Sequence, residues 1–275
     1  MTLHTSTVVV PPRRKRHPLA RVGENLVYAL GLPFLLLVIW GVWASASPAA
    51  FFPSPLIIFD AFIDTWVGPA FVTDVLPSLG RLALGIVLSV AIGVVAGTLI
   101  GLVRWLGELL EPMLEFFRAI PPPVLIPIVA VLLGPTDSMK ITVIVAGSVW
   151  PVLLNTIDGV RATDSVVTET ARSFALTPVE RIRYIVLPAA SPRIMAGTRQ
   201  SLSIALILMV ISEMFYSSSG LGYRIVYFQR NYLIAEMWGG ILLLGLIGVL
   251  LAVIFGFVER RVLRWYHGIK EVERA

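Results

Sequence analysis

A polar stretch at residues 169–188, ETARSFALTPVERIRYIVLP, interrupts a chain that is otherwise mostly apolar. It carries three arginines, at positions 172, 181 and 183. Arginine is costly inside a bilayer and is enriched in the cytoplasmic loops of membrane proteins. The stretch is therefore predicted to lie in water on the cytoplasmic side of a membrane, between two membrane-spanning segments.

Local signals predict that this stretch forms two short helices rather than a slack linker. Good helix formers stand at helical spacing over residues 166–174. Thr177 can cap a second helix, Pro178 suits its first turn, and Glu180 completes a capping box. The proline at position 188 is expected to end that helix. Two short helices joined by a tight corner would form a projection suited to docking.

The composition indicates a membrane protein and gives no sign of an enzyme. Of 275 residues, 57% are hydrophobic and only 14% are charged. There is no cysteine, and the three histidines (His4, His17 and His267) stand in the tails, too far apart in sequence to predict a metal or catalytic site. The chain contains no Gly-Lys pair, so it has no Walker A site for ATP.

The apolar runs predict an all-α, polytopic membrane protein with six spans, each near the length that crosses a bilayer. We place the spans at about residues 26–47, 79–103, 117–133, 141–157, 197–215 and 237–258. The predicted organisation is a basic tail at 1–25, a membrane domain at 26–258 and a second tail at 259–275. Within the membrane domain, 48–77 is an outer amphipathic segment and 160–196 a cytoplasmic loop.

The distribution of basic residues fixes the predicted orientation. With the N-terminus inside, eighteen Lys and Arg residues fall on the cytoplasmic side. Four fall outside: Arg81, Lys140, Arg224 and Arg230. This asymmetry follows the positive-inside rule and predicts that both termini are cytoplasmic. It also accounts for the net charge of +5 without nucleic acid.

Two apolar segments each leave two interpretations open. Residues 56–66 combine apolar side chains with Asp60 and Asp64, which indicates either an amphipathic helix in the outer interface or an ordinary packed loop helix. The second span carries a small residue at every fourth position: Gly85, Ser89, Gly93, Gly97 and Gly101. Such a pattern favours close helix packing, with a pore-lining role as the alternative.

Three sets of residues are candidates for the solute pathway or a gate. Pro121, Pro122 and Pro123 must break the third span, and the freed backbone groups should face the bundle interior. Ser201 and Ser212 share one face of the fifth span, suited either to helix packing or to a wet pathway. Glu213 stands near the outer end of that span, as a gate, as part of a structural pair, or reaching external water.

The stretch at 169–188 resembles the cytoplasmic EAA loop of permease subunits of bacterial ATP-binding-cassette importers. Five residues fall on that pattern: Glu169, Ala171, Ile185, Leu187 and Pro188. Thr170 replaces the usual alanine, and Ala175 replaces the usual glycine. The second replacement costs on the order of 1 kcal/mol if the position requires a positive φ, and little otherwise.

Further motifs resemble the nitrate, sulfonate and taurine branch of these importers, and together they cover about residues 50–266. They are FPSP at 52–55, FRAIPP at 117–122, SEM at 212–214 with SSGLGY at 218–223, and ERRVLRW at 259–265. The resemblance implies a permease that forms a pore as a homodimer in the bacterial cell membrane. The solute would be small and anionic, delivered by an extracytoplasmic binding protein.

The resemblance also implies two ATPase subunits, which would bind ATP and magnesium, while this chain binds no cofactor or metal. It assigns ATPase coupling to residues of the loop: Glu169, Thr170, Ala171, Ser173, Ala175, Leu176, Thr177, Pro178, Ile185, Leu187 and Pro188. The alternative is a stand-alone secondary transporter or channel, which would need its own coupling residues within the spans. Only Glu213 meets that need.

Overall fold

The computed structural model describes residues 18–46, 51–164 and 173–266, together with Val167 and Glu169. The chain divides into two units, Met1–Ile57 and Ile58–Ala275. In the first unit, α1 (Pro18–Ala46) is followed by a turn, and the Trp43 and Phe52 rings lie 6.0 Å apart, edge to face. Side chains of α1 are described from Gly31 onward, and most of them are exposed apolar residues.

The remaining described residues form helices and turns. A short helix, α2, crosses from the first unit into the second, and two π-helical turns and one 3-10 turn join longer helices. The bounds are α2 (Pro55–Trp66), a π-turn (Phe71–Val75), α3 (Leu76–Leu102), α4 (Arg104–Ala119), a 3-10 turn (Pro122–Val124), α5 (Leu125–Leu133), α6 (Asp137–Arg161), α7 (Pro178–Arg181), a π-turn (Ile182–Val186), α8 (Leu187–Phe215), α9 (Leu221–Arg230) and α10 (Ile234–Val262).

Four helical runs in the described residues are long and apolar enough to cross a membrane: Phe71–Leu102, Asp137–Arg161, Pro178–Phe215 and Ile234–Val262. A fifth crossing is available if α4 and the segment Pro122–Leu133, which are bent by 77°, act as one span. Gly31–Ala46 in α1 is a shorter apolar helix. The all-α membrane fold is thus confirmed, whereas the count of six spans and the cytoplasmic termini stay predictions.

The third span, expected over residues 117–133, differs from the prediction. Its apolar helix α5 has nine residues, too few to cross a bilayer alone. The preceding helix α4 begins at Arg104, and the chain between the two is extended at Ile120 and Pro121. The predicted proline break is therefore present, but it joins two half-length helices rather than opening one full span.

The small residues of α3 form its contact with α6. A Cβ atom added at Gly93 would lie 2.8 Å from Cβ of Val152, and one added at Gly97 would lie 2.7 Å from Cβ of Thr156. One turn before Gly93, the hydroxyl of Ser89 lies 2.7 Å from the hydroxyl of Ser148. Contacts advance by four residues on both helices, so the two run parallel. Close packing is the role of this stripe, and the pore-lining alternative is wrong.

The face of α8 that carries the predicted serines packs on α6 in the opposite direction. Ser201 donates a hydrogen bond of 2.6 Å to the backbone carbonyl of Ser148, and Gly197 lies against Pro151. The main hydrophobic core lies at the part of this contact nearer the N-terminus of α6. It includes residues of α3, α5, α6 and α8: Leu82, Ile126, Met139, Val143, Ile144, Ala205, Leu208 and Met209.

Each π-helical turn stands directly before a Leu-Pro pair. The backbone N–H of Leu76 donates to the carbonyl of Phe71, and that of Leu187 donates to the carbonyl of Ile182. Proline lacks an N–H and clashes with the carbonyl four residues earlier. The wider π-turn moves that carbonyl out of register, so the helix continues through Pro77 and Pro188 instead of ending.

The outer helix α2 shows features of both interpretations that the sequence left open. Trp66 is fully buried, packs edge to face on Phe228 at 6.0 Å, and donates a hydrogen bond of 3.4 Å to the carbonyl of Glu236. Leu56 and Phe59 are exposed apolar side chains. One face of α2 therefore packs as a loop helix does, while the other stays apolar and uncovered in this chain.

Candidate functional site: the segment at 169–188 and the buried ion cluster

The capping box predicted at Thr177 is confirmed. The hydroxyl of Thr177 accepts a hydrogen bond of 3.3 Å from the backbone N–H of Glu180, and the carboxylate of Glu180 accepts one of 2.9 Å from the backbone N–H of Thr177. Pro178 occupies the first turn. These reciprocal bonds fix the direction in which the chain enters α7.

The expected end of this helix at Pro188 is wrong. The helix passes from α7 through the π-turn into α8, giving one run from Pro178 to Phe215. Ile185 and Leu187 lie on this run, and Leu187 packs on a buried cluster that includes Val160 and Val186. The second half of the motif therefore anchors the segment to the bundle, because the π-turn removes the conflict that Pro188 would otherwise create.

The corner before α7 has the geometry in which alanine is strained. Ala175 has φ of 54°, in the left-handed region that favours glycine. The replacement of the usual glycine by alanine therefore carries the penalty considered above, about 1 kcal/mol. A tight corner that tolerates this penalty is held by its neighbours, among them the capping box that follows it.

The first half of the segment presents its side chains to solvent. Glu169, Ser173, Ala175, Leu176, Thr177 and Pro178 are all exposed. Phe174 and Val179 are large apolar side chains with 78% and 73% of their surface exposed. Thr170 and Ala171 lie outside the described residues. The described part is thus a capped, exposed projection that combines polar and apolar groups, as a docking surface does.

At the opposite end of the bundle, Glu213 is completely buried and ion-paired. Its carboxylate accepts a hydrogen bond of 2.6 Å from Nη1 of Arg81 and one of 3.1 Å from the backbone N–H of Gly222. The hydroxyl of Ser78 lies 2.8 Å from both carboxylate oxygens. A Glu213 that reaches external water is therefore excluded, and the structural pair is the arrangement present.

A second buried carboxylate extends this arrangement into an ion cluster of three acids and three bases. Asp74 accepts hydrogen bonds from Nη2 of Arg224 at 2.7 Å and from the backbone N–H of Gly220 at 3.0 Å. Arg81 also donates from Nε to Asp137 at 2.8 Å, and Lys140 lies 3.4 Å from the same oxygen. The cluster joins the first π-turn, α3, α6, α8 and α9.

The cluster is built for structure rather than for holding a solute. Its formal charges cancel, and Arg81, which is 6% exposed, already contacts Glu213, Asp137 and Ser219. Gly220 has φ of 115°, and a Cβ there would lie 2.5 Å from the carboxylate of Glu213, so glycine is required. The ends of α3, α6, α8 and α9 that meet here are consequently fastened into one unit.

The other candidate pathway residues lie in different surroundings. Ser201 and Ser212 are fully buried, and the hydroxyl of Ser212 donates a hydrogen bond of 2.9 Å to the carbonyl of Met209. Both serines therefore belong to helix packing, and neither lines an open space. Pro121 and Pro123 are exposed in this chain, and Pro122 packs against Gly147 near the middle of α6. The structure does not bring the prolines and Glu213 together.

Comparison with known proteins decides the family. Residues 89–266 match the family described as binding-protein-dependent transport system inner membrane component. The chain belongs to this family. It is a transport permease subunit of ATP-binding-cassette importers, which is a multi-pass membrane protein and not an enzyme, and such permeases work with ATPase subunits and a binding protein.

The permease is similar to other transport permeases over nearly its whole length. It is 30% identical to the protein named putative aliphatic sulfonates transport permease protein SsuC of Bacillus subtilis, across 92% of this chain and 90% of that protein. It is 28% identical to the nitrate import permease protein NrtB of Synechocystis, across 94% and 97%. A chain of the MetNI methionine ABC transporter, solved in inward facing conformations, shares the fold with a TM-score of 0.57 and 20% identity, covering 68% of the permease and 94% of that chain.

Sequence reasoning missed most members of the ion cluster. The distribution of basic residues marks Arg81, Lys140 and Arg224 only as unfavourable outer charges, yet each has an acidic partner. The available signal was the presence of acids on the same predicted side of the membrane, among them Asp74, Asp137 and Glu213. A charge that the orientation rule disfavours and that stands beside a helix end is a candidate for such pairing.

Proposed function

We propose that this permease imports a small anionic solute, such as a sulfonate, nitrate or a similar acid, as a homodimer in the bacterial inner membrane. Each copy has six spans with both termini in the cytoplasm. Two ATPase subunits bind ATP and magnesium and dock on the exposed segment that begins at Glu169. A binding protein delivers the solute at the outer end. This chain binds no cofactor of its own.

One observation carries the mechanism. The helical run from Pro178 to Phe215 is continuous over 38 residues, or about 57 Å at 1.5 Å per residue. Its inner end is the capping box, and Glu213 in the ion cluster stands at its outer end. A displacement of the docking segment therefore moves one stiff helix, whose outer end is fastened to α3, α6 and α9.

This arrangement supports alternating access driven by the ATPases. When ATP draws the two ATPase subunits together, the docking segments of the two copies move with them. The outer unit held by Arg81 and Glu213 then rotates as a body rather than helix by helix. The alternative of a stand-alone transporter or channel does not fit the family, and Glu213, the residue that it would need for coupling, is buried in an ion pair with Arg81.

The proposed solute class rests on two relatives whose names state an anion. SsuC is named for aliphatic sulfonates, and NrtB is named for nitrate. The test is uptake by proteoliposomes that contain the permease, the ATPase and the binding protein encoded beside it. ATP-dependent uptake of ethanesulfonate or nitrate is the expected result. Uptake of either anion that is independent of ATP, or ATP-dependent uptake of cations alone, would contradict the proposal.

A further inference from the structure

Helix α4 has three distinct faces. At 100° per residue its five charged side chains fall within an arc of about 80°. They are Arg104, Glu108, Glu111, Glu115 and Arg118. A second face, with Leu106, Leu110 and Leu114, packs on a core cluster formed by α3 and α6. The third face is apolar and exposed, with Trp105, Leu109, Met113 and Phe116 between 54% and 66% exposed.

Contacts with α6 give the depth of each level of α4. Gly107 lies against the side chain of Arg161, at the inner end of α6. Ten residues later, the Phe117 ring stacks on Trp150 with 6.5 Å between centroids and 11° between planes. Trp150 stands near the middle of α6, so α4 runs antiparallel beside its inner half. Glu115 and Arg118 therefore lie close to the middle of the bilayer.

Charges at this depth require water or a partner. The side chains of Glu115 and Arg118 are 57% and 52% exposed, and among the residues that the structure describes each forms its ion pair with the other, at 2.5 Å. Facing lipid, a charged residue at a span centre costs roughly 2.5–3.5 kcal/mol. Charged residues within spans accordingly face the bundle interior or a water-filled cavity. Because the adjacent face, with Phe116, is apolar, the charged side chains of α4 all point to one side of the helix.

Two cavities follow the charged face from the middle of the membrane to the docking segment. One, of about 310 Å³, is lined by Glu111, Glu115, Arg118, Leu154 and Arg161, among others. The other, of about 520 Å³, is lined by Arg104, Glu108, Glu111, Arg161 and Arg181, among others. Glu111 and Arg161 border both cavities. The two cavities thus adjoin at these two residues along the charged arc.

We propose that the charged face of α4 lines the aqueous inner half of the solute pathway, with Arg118 as its deepest cation and as the contact for an anionic solute below the proline break. The anionic solute rests on the proposed function, whereas the aqueous pathway stands on the geometry alone. A guanidinium offers paired donors that fit a sulfonate, nitrate or carboxylate. The exposed pair with Glu115 is worth only about 0–1 kcal/mol, so a solute can displace it.

Cysteine labelling tests the pathway directly, because the chain has no native cysteine. Everted membrane vesicles expose the cytoplasmic side to the membrane-impermeant reagent 2-sulfonatoethyl methanethiosulfonate, itself an alkanesulfonate. Glu115→Cys and Arg118→Cys should react at least tenfold faster than Phe116→Cys. Phe116 is the matched control, since it lies at the same depth and is equally exposed in this chain. Equal rates at Glu115→Cys and Phe116→Cys would overturn the proposal.

The role of Arg118 is tested by comparing this anionic reagent with its trimethylammonium analogue. At Glu115→Cys, the anionic-to-cationic rate ratio should fall at least threefold when Arg118→Gln is added. At Glu108→Cys the ratio should not change, because ten helical residues span about 15 Å, beyond the screening length of about 8 Å. An unchanged ratio at Glu115→Cys would contradict the assignment of Arg118.

Labelling needs neither solute nor ATP, so the two proposals fail separately. If the permease drives ATP-dependent anion uptake but labels equally at Glu115→Cys and Phe116→Cys, the proposed aqueous pathway is refuted and the proposed function is retained. If the labelling pattern is as expected but the permease imports no anion, the proposed solute class is refuted and the proposed aqueous pathway is retained.

Discussion

Glu213 and Arg81 form an ion pair 2.6 Å long in which the glutamate is completely buried and the arginine is 6% exposed. The two residues belong to α8 and α3, so the pair ties the long helix that begins at the docking segment to the small-residue helix that packs on α6. Burying two charges is costly, and such a pair is stable only when hydrogen bonds satisfy its remaining groups. Here Ser78, Gly222 and Asp137 supply them.

The first prediction concerns breaking this pair. Arg81→Met leaves the carboxylate of Glu213 buried without its cation, and we expect a loss of about 3–5 kcal/mol of stability. The measurement is the midpoint of thermal unfolding in detergent, followed by size-exclusion chromatography. The control is Arg104→Met, which breaks an exposed pair with Glu108 and should cost about 0–1 kcal/mol. Equal losses of stability in the two variants would show that the buried pair contributes no more to stability than the exposed pair.

The second prediction concerns the contact between α3 and α6. A Cβ at Gly97 would lie 2.7 Å from Cβ of Thr156 and 2.8 Å from the carbonyl of Leu153, part of a backbone that cannot move aside. Gly97→Ala should therefore lower the unfolding midpoint, at a cost of about 1–3 kcal/mol.

Gly80 provides the matched control on the same helix, because a Cβ there meets nothing within 4 Å. Gly80→Ala should be neutral or stabilising by up to about 1 kcal/mol, through a less flexible unfolded chain. If Gly97→Ala had the same unfolding midpoint as Gly80→Ala, the contact between α3 and α6 would be looser than the structure shows.

The third prediction concerns the strained corner at Ala175. Ala175→Gly removes the penalty of φ 54° and should stabilise the corner by about 1 kcal/mol, seen as slower amide hydrogen exchange in residues 173–181. Ala189→Gly, at an exposed helical position in α8, should have the opposite sign because glycine weakens a helix interior. Faster exchange in Ala175→Gly would mean that the corner is not strained by alanine.

The fourth prediction concerns topology, and it rests on the distribution of Lys and Arg. Ser173→Cys should react with an impermeant maleimide only from the cytoplasmic side, and Ser218→Cys only from outside. Both positions are exposed, so a lack of reaction reports the side of the membrane rather than burial. Reaction of Ser173→Cys in intact cells would rule out the six-span orientation.

Features that depend on neighbouring residues could be predicted from the sequence. The capping box needs only Thr177 and Glu180, and its reciprocal bonds are formed as expected. The small residues of α3 likewise predicted close packing, because a missing side chain brings any neighbouring helix near. The sequence could not tell that the neighbour is α6.

Features that depend on distant partners could not be predicted in the same way. Arg81 and Glu213 are separated by 132 positions, and nothing local to either residue indicates the other. Pro188 was expected to end a helix, because the rule for proline assumes a regular α-helix before it. The π-turn at Ile182–Val186 breaks that assumption, and the same turn before Pro77 shows that the Leu-Pro pair is itself a signal.

The central claim is that the exposed segment beginning at Glu169 receives the ATPase. The direct measurement is the ATPase-to-permease ratio, by quantitative mass spectrometry, of complexes purified in detergent. The native chain should retain one ATPase per permease, and replacement of residues 173–180 by a Gly-Ser linker should reduce the ratio to below a tenth. Glu169→Lys should reduce it in part, while Asp60→Lys, an equal charge reversal on the exposed helix α2, should not. A native ratio in the linker variant would contradict the account.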